Sequence, residues 1–149
     1  MALKPRGAKG KGDNYERELA LYFNEKLFGG LPVVYRAPLS GGGRNLNGGG
    51  QADLTGTPDV WIEAKRTEKF RVHEALSQAE RGIKNSSSPD TPVVINRRNQ
   101  MKTGESVVVM RLDDWLDMYR KVINGDDTLP PTQVSSEQPQ GDEDAPGYP

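Results

Sequence analysis

Residues 51–66, Q-A-D-L-T-G-T-P-D-V-W-I-E-A-K-R, decide how the chain is read. Two short runs of strand-forming residues flank a candidate turn, Gly56-Thr57-Pro58-Asp59. A hairpin centred on Pro58 sets Asp53 opposite Glu63, Leu54 opposite Ile62 and Ala52 opposite Ala64. Side chains alternate along a strand, so Ala52, Leu54, Ile62 and Ala64 share one face and Asp53, Glu63 and Lys65 the other. Directly opposed β-carbons lie about 4.5–5.5 Å apart. Two carboxylates held that close repel unless a cation or a shared proton relieves them. With the Lys65 amine alongside, this face has the makings of a hard-cation site with a general acid/base or phosphate-binding group. Three charges on one face also suit the wet side of an ordinary sheet, and the rest of the chain must arbitrate.

Length and composition narrow the field. A chain of 149 residues suits one compact domain. It has no cysteine, so disulfides and thiolate metal sites are excluded, and any metal must rest on oxygen or on His73. His73 has no histidine partner at ligand spacing and reads as a solvated or packing residue. No apolar run approaches membrane-spanning length and no signal-peptide core is present, so a soluble, cytoplasmic protein is expected. The formal net charge of −1 hides an asymmetry. Residues 125–149 hold six acids and no lysine or arginine, which leaves 15 acids against all 20 basic residues, a net of +5, on residues 1–124. A basic body with an acidic tail suits a polyanionic partner.

Residues 1–12, with Lys4, Arg6, Lys9 and Lys11 and no acid, read as a flexible basic arm or an idle tail. Asp13 reads as an N-cap with Glu16 in capping-box position. Tyr15, Leu19, Tyr22, Phe23 and Leu27 then form the apolar stripe of a helix that Gly29-Gly30 ends. Glu16 is either the capping carboxylate or an extra acid turned to the site. Residues 32–36 read as a first strand. Residues 40–50 hold six glycines without the Gly-Lys-Ser/Thr of a phosphate-binding loop. They fit a mobile loop that admits a large ligand, or a plain connector.

Beyond the hairpin, Thr67 can cap a helix through about Lys84, with Val72, Ala75, Leu76, Ala79 and Ile83 buried and Gln78 on the flank. Residues 92–95 and 106–110 read as strands, and Leu112–Asn124 as a last helix with acids first and Arg120-Lys121 near its end. Residues 125–149 read as a disordered acidic tail that solubilises the chain, competes with a polyanion or recruits a partner. The expectation is one small α/β domain over residues 13–124, a mixed central β-sheet flanked by helices.

This order, with Asp on one strand and Glu-x-Lys on the next, resembles the PD-(D/E)XK nuclease superfamily. More narrowly it is similar to the archaeal Holliday-junction resolvases and related small phage endonucleases. The matching residues are G-D-N-Y-E-R-E-L at 12–19, R-A-P-L-S-G-G-G at 36–43, A-D-L-T-G at 52–56 and I-E-A-K-R at 62–66, extended by Gln78 and by Arg97-Arg98-Asn99. The resemblance implies a restriction-endonuclease-like core and a metal-dependent endodeoxyribonuclease of branched DNA, acting in DNA recombination as a homodimer. Asp53, Glu63 and the Ala64 carbonyl would hold Mg²⁺ or Mn²⁺, Lys65 would serve the attacking water, and Glu16 would assist. Lys9, Lys11, Arg17, Arg36, Ser40, Arg44, Arg66, Gln78, Arg97 and Arg98 would contact DNA. A literal Pro-Asp at Pro58-Asp59 makes Asp59 the alternate metal-binding acid. Four residues along one strand span about 13 Å, however, too far for Asp59 and Glu63 to share an ion.

Overall fold

A computed structural model of the chain describes residues 7–38 and 50–125. The elements, in order, are α1 (Ala8–Phe28), β1 (Tyr35–Arg36), β2 (Leu54–Thr55), β3 (Val60–Arg66), α2 (Val72–Ser86), β4 (Thr91–Arg97), a 3₁₀ turn (Thr103–Glu105), β5 (Val107–Val109) and α3 (Leu112–Asn124). The class is α/β. A three-stranded mixed sheet runs β3-β4-β5, and β1 and β2 form a separate antiparallel ribbon. The chain divides into two compact units, Met1–Asp114 and Trp115–Pro149.

In the first unit β3 and β4 pair in parallel, with Ile62 beside Val93 and Lys65 beside Asn96. Parallel neighbours need a crossover, and α2 supplies it. The core follows from alternation. Ile62, Val93 and Ile95 face α1, where they meet Tyr15, Leu19, Ala20, Val34 and Leu54. Val94 faces α2 and packs on Ala75 and Leu76. Because β4 is covered on both faces it reads T-P-V-V-I-N-R, an apolar run without polar alternation.

The hairpin forms only in part, and not in the expected register. Asp53 donates its N–H to the Ile62 carbonyl, one residue from the expected partner Glu63. Its own carbonyl accepts from Ala37 on the other side. A regular strand residue aims both groups to one side, so the strand breaks at Asp53. Downstream, β2 pairs with β1, Leu54 beside Arg36. Gly56 takes φ +85°, and a β-carbon there would meet the Val33 carbonyl oxygen at 2.1 Å, so glycine is required.

Helix boundaries also depart from the sequence reading. α1 begins at Ala8, with Gly7 as an N-cap that offers no side chain. Extending an existing helix gains a hydrogen bond per residue, which carries it through Gly10 and Gly12. Asp13 and Glu16 cannot then be a capping box; both carboxylates accept from the Arg36 guanidinium instead, at 2.7 and 2.6 Å. The C-terminus is as expected, with Gly29 left-handed. Leu27, assigned to the buried stripe, is exposed. Thr67 caps nothing: α2 starts at Val72, and the Thr67 hydroxyl donates to the Lys69 carbonyl.

Trp115–Asn124, the greater part of α3, lie in the second unit. Gly125, at φ +73°, ends the helix. The Trp115 and Tyr119 rings stack at 4.9 Å, and no described residue of α3 is buried. Among the described residues no helix is long and apolar enough to cross a membrane.

Asn24, a polar residue on the buried side of α1, fastens the entry to β1. It accepts from the N–H groups of Val33 and Val34 at 3.1 and 2.7 Å and donates to the Val34 carbonyl at 2.9 Å. Asn24→Ala is expected to leave the buried N–H and carbonyl of Val34 unpaired, while the Val33 N–H keeps the Leu31 carbonyl, and to cost roughly 2–4 kcal/mol in a urea or thermal unfolding experiment. A loss below about 0.5 kcal/mol would show that water replaces the clamp.

Candidate functional site

β3 is an edge strand of the three-stranded sheet, and its free edge meets the broken strand at Asp53. Hydrogen bonding fixes the encounter. The Ala64 N–H donates to Asp53 Oδ2 at 2.7 Å. In a strand the carbonyl leaves on the same side as the N–H, so the Ala64 carbonyl also belongs to this edge. Glu63 and Lys65, one residue to either side, face α2. There Lys65 Nζ donates to Glu63 Oε1 at 3.2 Å and to Gln78 Oε1 at 2.8 Å, while Gln78 Nε2 donates to the same Glu63 oxygen at 2.7 Å. The amine, the carboxylate and the amide therefore form a closed triangle, which removes most of the rotational freedom of Lys65.

Both carboxyl groups are buried, Asp53 at 8% and Glu63 at 6% exposure. Burial and then the Glu63 charge push the Asp53 carboxyl up to about 7, against the opposing Ala64 N–H. Burial likewise raises Glu63, countered by Lys65. Glu16, also buried, adds its charge to both. Of its two sequence readings, the one that turns it to the site fits the fold, since a mid-helix residue has no cap to make. Arg36 holds Glu16 in place and draws Asp13 into the same cluster.

The remaining candidates distribute unevenly. Asp59 sits in the exposed turn before β3 at φ +67°, and its carbonyl accepts from Thr91 at the start of β4. It orders the turn, and Asp53 is the acid the fold sets against Glu63. Arg97 corrects the expectation of a DNA contact. It is 7% exposed, paired with Glu18 at 2.7 Å, bonded to Thr103 and stacked on the Tyr15 ring. It joins α1 to the sheet. Arg66 lies half-buried on that same face, away from Lys65. Lys11, Arg17 and Arg98 are exposed, while Gln78 is committed to the triangle. Ser40, Arg44 and residues 1–6 lie outside the described residues, as does the Lys9 side chain.

Sequence reasoning missed Asn24, Trp61 and Asn96. Trp61, on the Glu63 side of β3, packs its ring over Gly82, where a β-carbon would meet it at 2.7 Å. Its signal was a glycine on the buried side of a helix opposite a large ring. Asn96 was legible only as a polar interruption of the apolar β4 run.

Chemically, the arrangement offers two buried hard-oxygen groups that resist joint ionisation, one backbone carbonyl and a fixed ammonium. Among the described residues no group of three or more His, Asp or Glu is placed to ligate one ion. The donor set still fits a divalent cation of magnesium type, which takes one or two carboxylates and fills its other positions with water and substrate oxygens. Comparison with family models, curated proteins and solved structures gives no significant match.

The raised Asp53 carboxyl has a signed consequence for stability. Between pH of about 4 and about 7 the folded state keeps a proton that the unfolded chain has released. Stability contributed by this group is therefore present at low pH and lost as pH rises through that window. Asp53→Asn is expected to match the wild type near pH 4 and to exceed its melting temperature by several degrees at pH 8, measured in EDTA. A difference that does not change with pH would refute the assignment.

Proposed function

We propose that the protein is a divalent-cation-dependent endonuclease that hydrolyses phosphodiester bonds in DNA, with branched DNA, a four-way junction above all, as its substrate. One observation carries the reading: two buried carboxylates, Asp53 and Glu63, share a strand edge with an ammonium locked by Glu63 and Gln78. A solvated sheet face has no reason to bury like charges. Asp53, Glu63 and the Ala64 carbonyl would hold Mg²⁺ or Mn²⁺. When bound, the cation supplies Lewis acidity, offsetting phosphate charge and acidifying water.

The chain's own residues do the rest. Lys65, with two hydrogen bonds fixing its Nζ, places a positive charge where the phosphoryl oxygens gain negative charge. Gln78 keeps that amine from collapsing onto Glu63 alone. Glu16 adds negative potential from α1 and strengthens the pull for a cation. As the P–O bond to water forms, one ester P–O bond breaks, leaving a phosphate monoester and a hydroxyl. Exposed Lys11, Arg17 and Arg98 grip phosphates without reading bases.

Symmetrical cutting of a junction needs two sites, so a two-fold pair of chains is part of the proposal. The apolar stripe of α3, Leu112, Trp115, Leu116, Tyr119, Val122 and Ile123, would supply the surface for it. On this reading the protein works in the cytoplasm, of an infected host cell if a phage encodes it.

Labelled four-way junction, flap and linear duplex, each incubated with Mg²⁺ and with EDTA, test the proposal. Cleavage is expected only with Mg²⁺ and fastest on the junction. Asp53→Asn, Glu63→Gln and Lys65→Met are each expected to lower the rate by about 10²-fold or more. Equal rates on junction and duplex would remove the branched substrate and keep the nuclease. Undiminished cleavage by Asp53→Asn would sink the site itself.

A further inference from the structure

Beside Lys65 the sheet carries a second feature that the hydrolytic reading leaves unused. Asn96 neighbours Lys65 across the β3–β4 ladder and Val107 across β4–β5. It is 3% exposed, and its Oδ1 has no hydrogen-bond partner among the described residues. This amide lines a cleft of about 240 Å³, walled by Phe70, Met101 and Val107, with Arg98 also lining it. Arg98 is exposed, and Phe70 is held by its packing beside Ala75, Leu76 and Val94.

We propose that this cleft receives one unstacked nucleobase, carrying an exocyclic amine, from the bound nucleic-acid strand. The inference rests on the nucleic-acid reading above and adds what that reading lacks, a contact to a base. Size is the first argument. Pockets for drug-sized ligands run from roughly 300 Å³ upward, so this one suits a single flat heterocycle and not a whole nucleotide. Its walls are the second. An aromatic ring, a thioether and a valine give a base face the stacking and dispersion contacts it loses on leaving the helix.

The third argument is the orphaned acceptor. A buried carbonyl-type oxygen without a donor is rare in folded proteins. With the Asn96 amide turned into the cleft, the amine of adenine would donate to Oδ1, now buried and unpaired, while Nδ2 donates to the adjacent ring nitrogen, the two-bond match of an amide with adenine. Thymine has no such amine. A phosphate would be wasted on apolar walls, and a wholly apolar ligand would leave Oδ1 unpaired. The Arg98 guanidinium is then the natural partner of the phosphate attached to the inserted residue. Bases already unpaired, at bulges, flaps and branch points, enter most cheaply.

The test is binding by fluorescence anisotropy in EDTA, where hydrolysis does not interfere. The probes are labelled duplexes with one central bulged residue, either adenine, thymine or an abasic sugar, and the fully paired duplex. Wild-type protein is expected to bind the adenine bulge about fivefold or more tighter than the abasic bulge, and measurably tighter than the thymine bulge. Phe70→Leu, which keeps an apolar packing residue, should bring adenine and abasic bulges within twofold. Asn96→Leu, which removes the unpaired amide and keeps its branched shape, should abolish adenine over thymine and keep adenine over abasic; melting curves confirm that both variants fold. Equal wild-type affinity for adenine and abasic bulges, with DNA binding intact, overturns the base pocket and leaves the nuclease reading standing. Absence of binding to every probe also overturns the base pocket, and cleavage of the four-way junction in Mg²⁺ then decides the nuclease reading separately.

Discussion

The structure turns on the burial of two carboxylates at the free edge of β3. Like charges in a dry site cost more than any single hydrogen bond returns, so the surroundings must over-determine their positions. The Ala64 N–H fixes Asp53, Lys65 and Gln78 fix Glu63, and Arg36 fixes Glu16. These partners come from three elements, β3, α2 and β1. α1, the break at Asp53, β3 and α2 must all be in place before the acids are held, which ties the site to the integrity of the first unit. On the proposed reading, the electrostatic strain stored here serves the site, as strain at functional sites commonly does.

That dependence explains what could be read from residue order. Leu112–Asn124 has the bounds expected for it, because its caps and its periodicity are both local signals. The parallel β4 strand and the α2 stripe were equally visible as an unbroken apolar run and a 3.6-residue repeat. Glu63 and Lys65 share a face by strand alternation alone. The hairpin register was not legible. A symmetric turn predicts a ladder, but Asp53 divides its backbone groups between β3 and Ala37, and nothing local announces that Ala37 will compete.

Arg36 is the clearest case of a distant partner overriding a local one. Asp13 and Glu16 have the spacing of a capping box, yet a guanidinium from residues 23 and 20 positions away takes both carboxylates. A charge-assisted bond is about twice as strong as a neutral one, so the helix loses a cap and runs on to Ala8. Arg97 repeats the lesson: a basic residue next to exposed Arg98 is drawn inside by Glu18 and the Tyr15 ring. Counting positive residues therefore overstates the surface available to phosphate. Arg97 ends β4 and is buried, whereas Arg98 follows the strand and is exposed.

The charge balance around the site points to one further step. Asp53 and Glu63 are two buried acids drawn to one strand edge, with the Glu16 charge adding to both, so ionising them together in a poorly solvated volume is costly. Two remedies exist, protons or one divalent cation. The Asp53 carboxyl, already pushed up to about 7, shows how far the proton remedy goes when no cation is present. On the proposed reading the two remedies compete for the same oxygens. Affinity for the cation would then rise with pH as the Asp53 proton leaves.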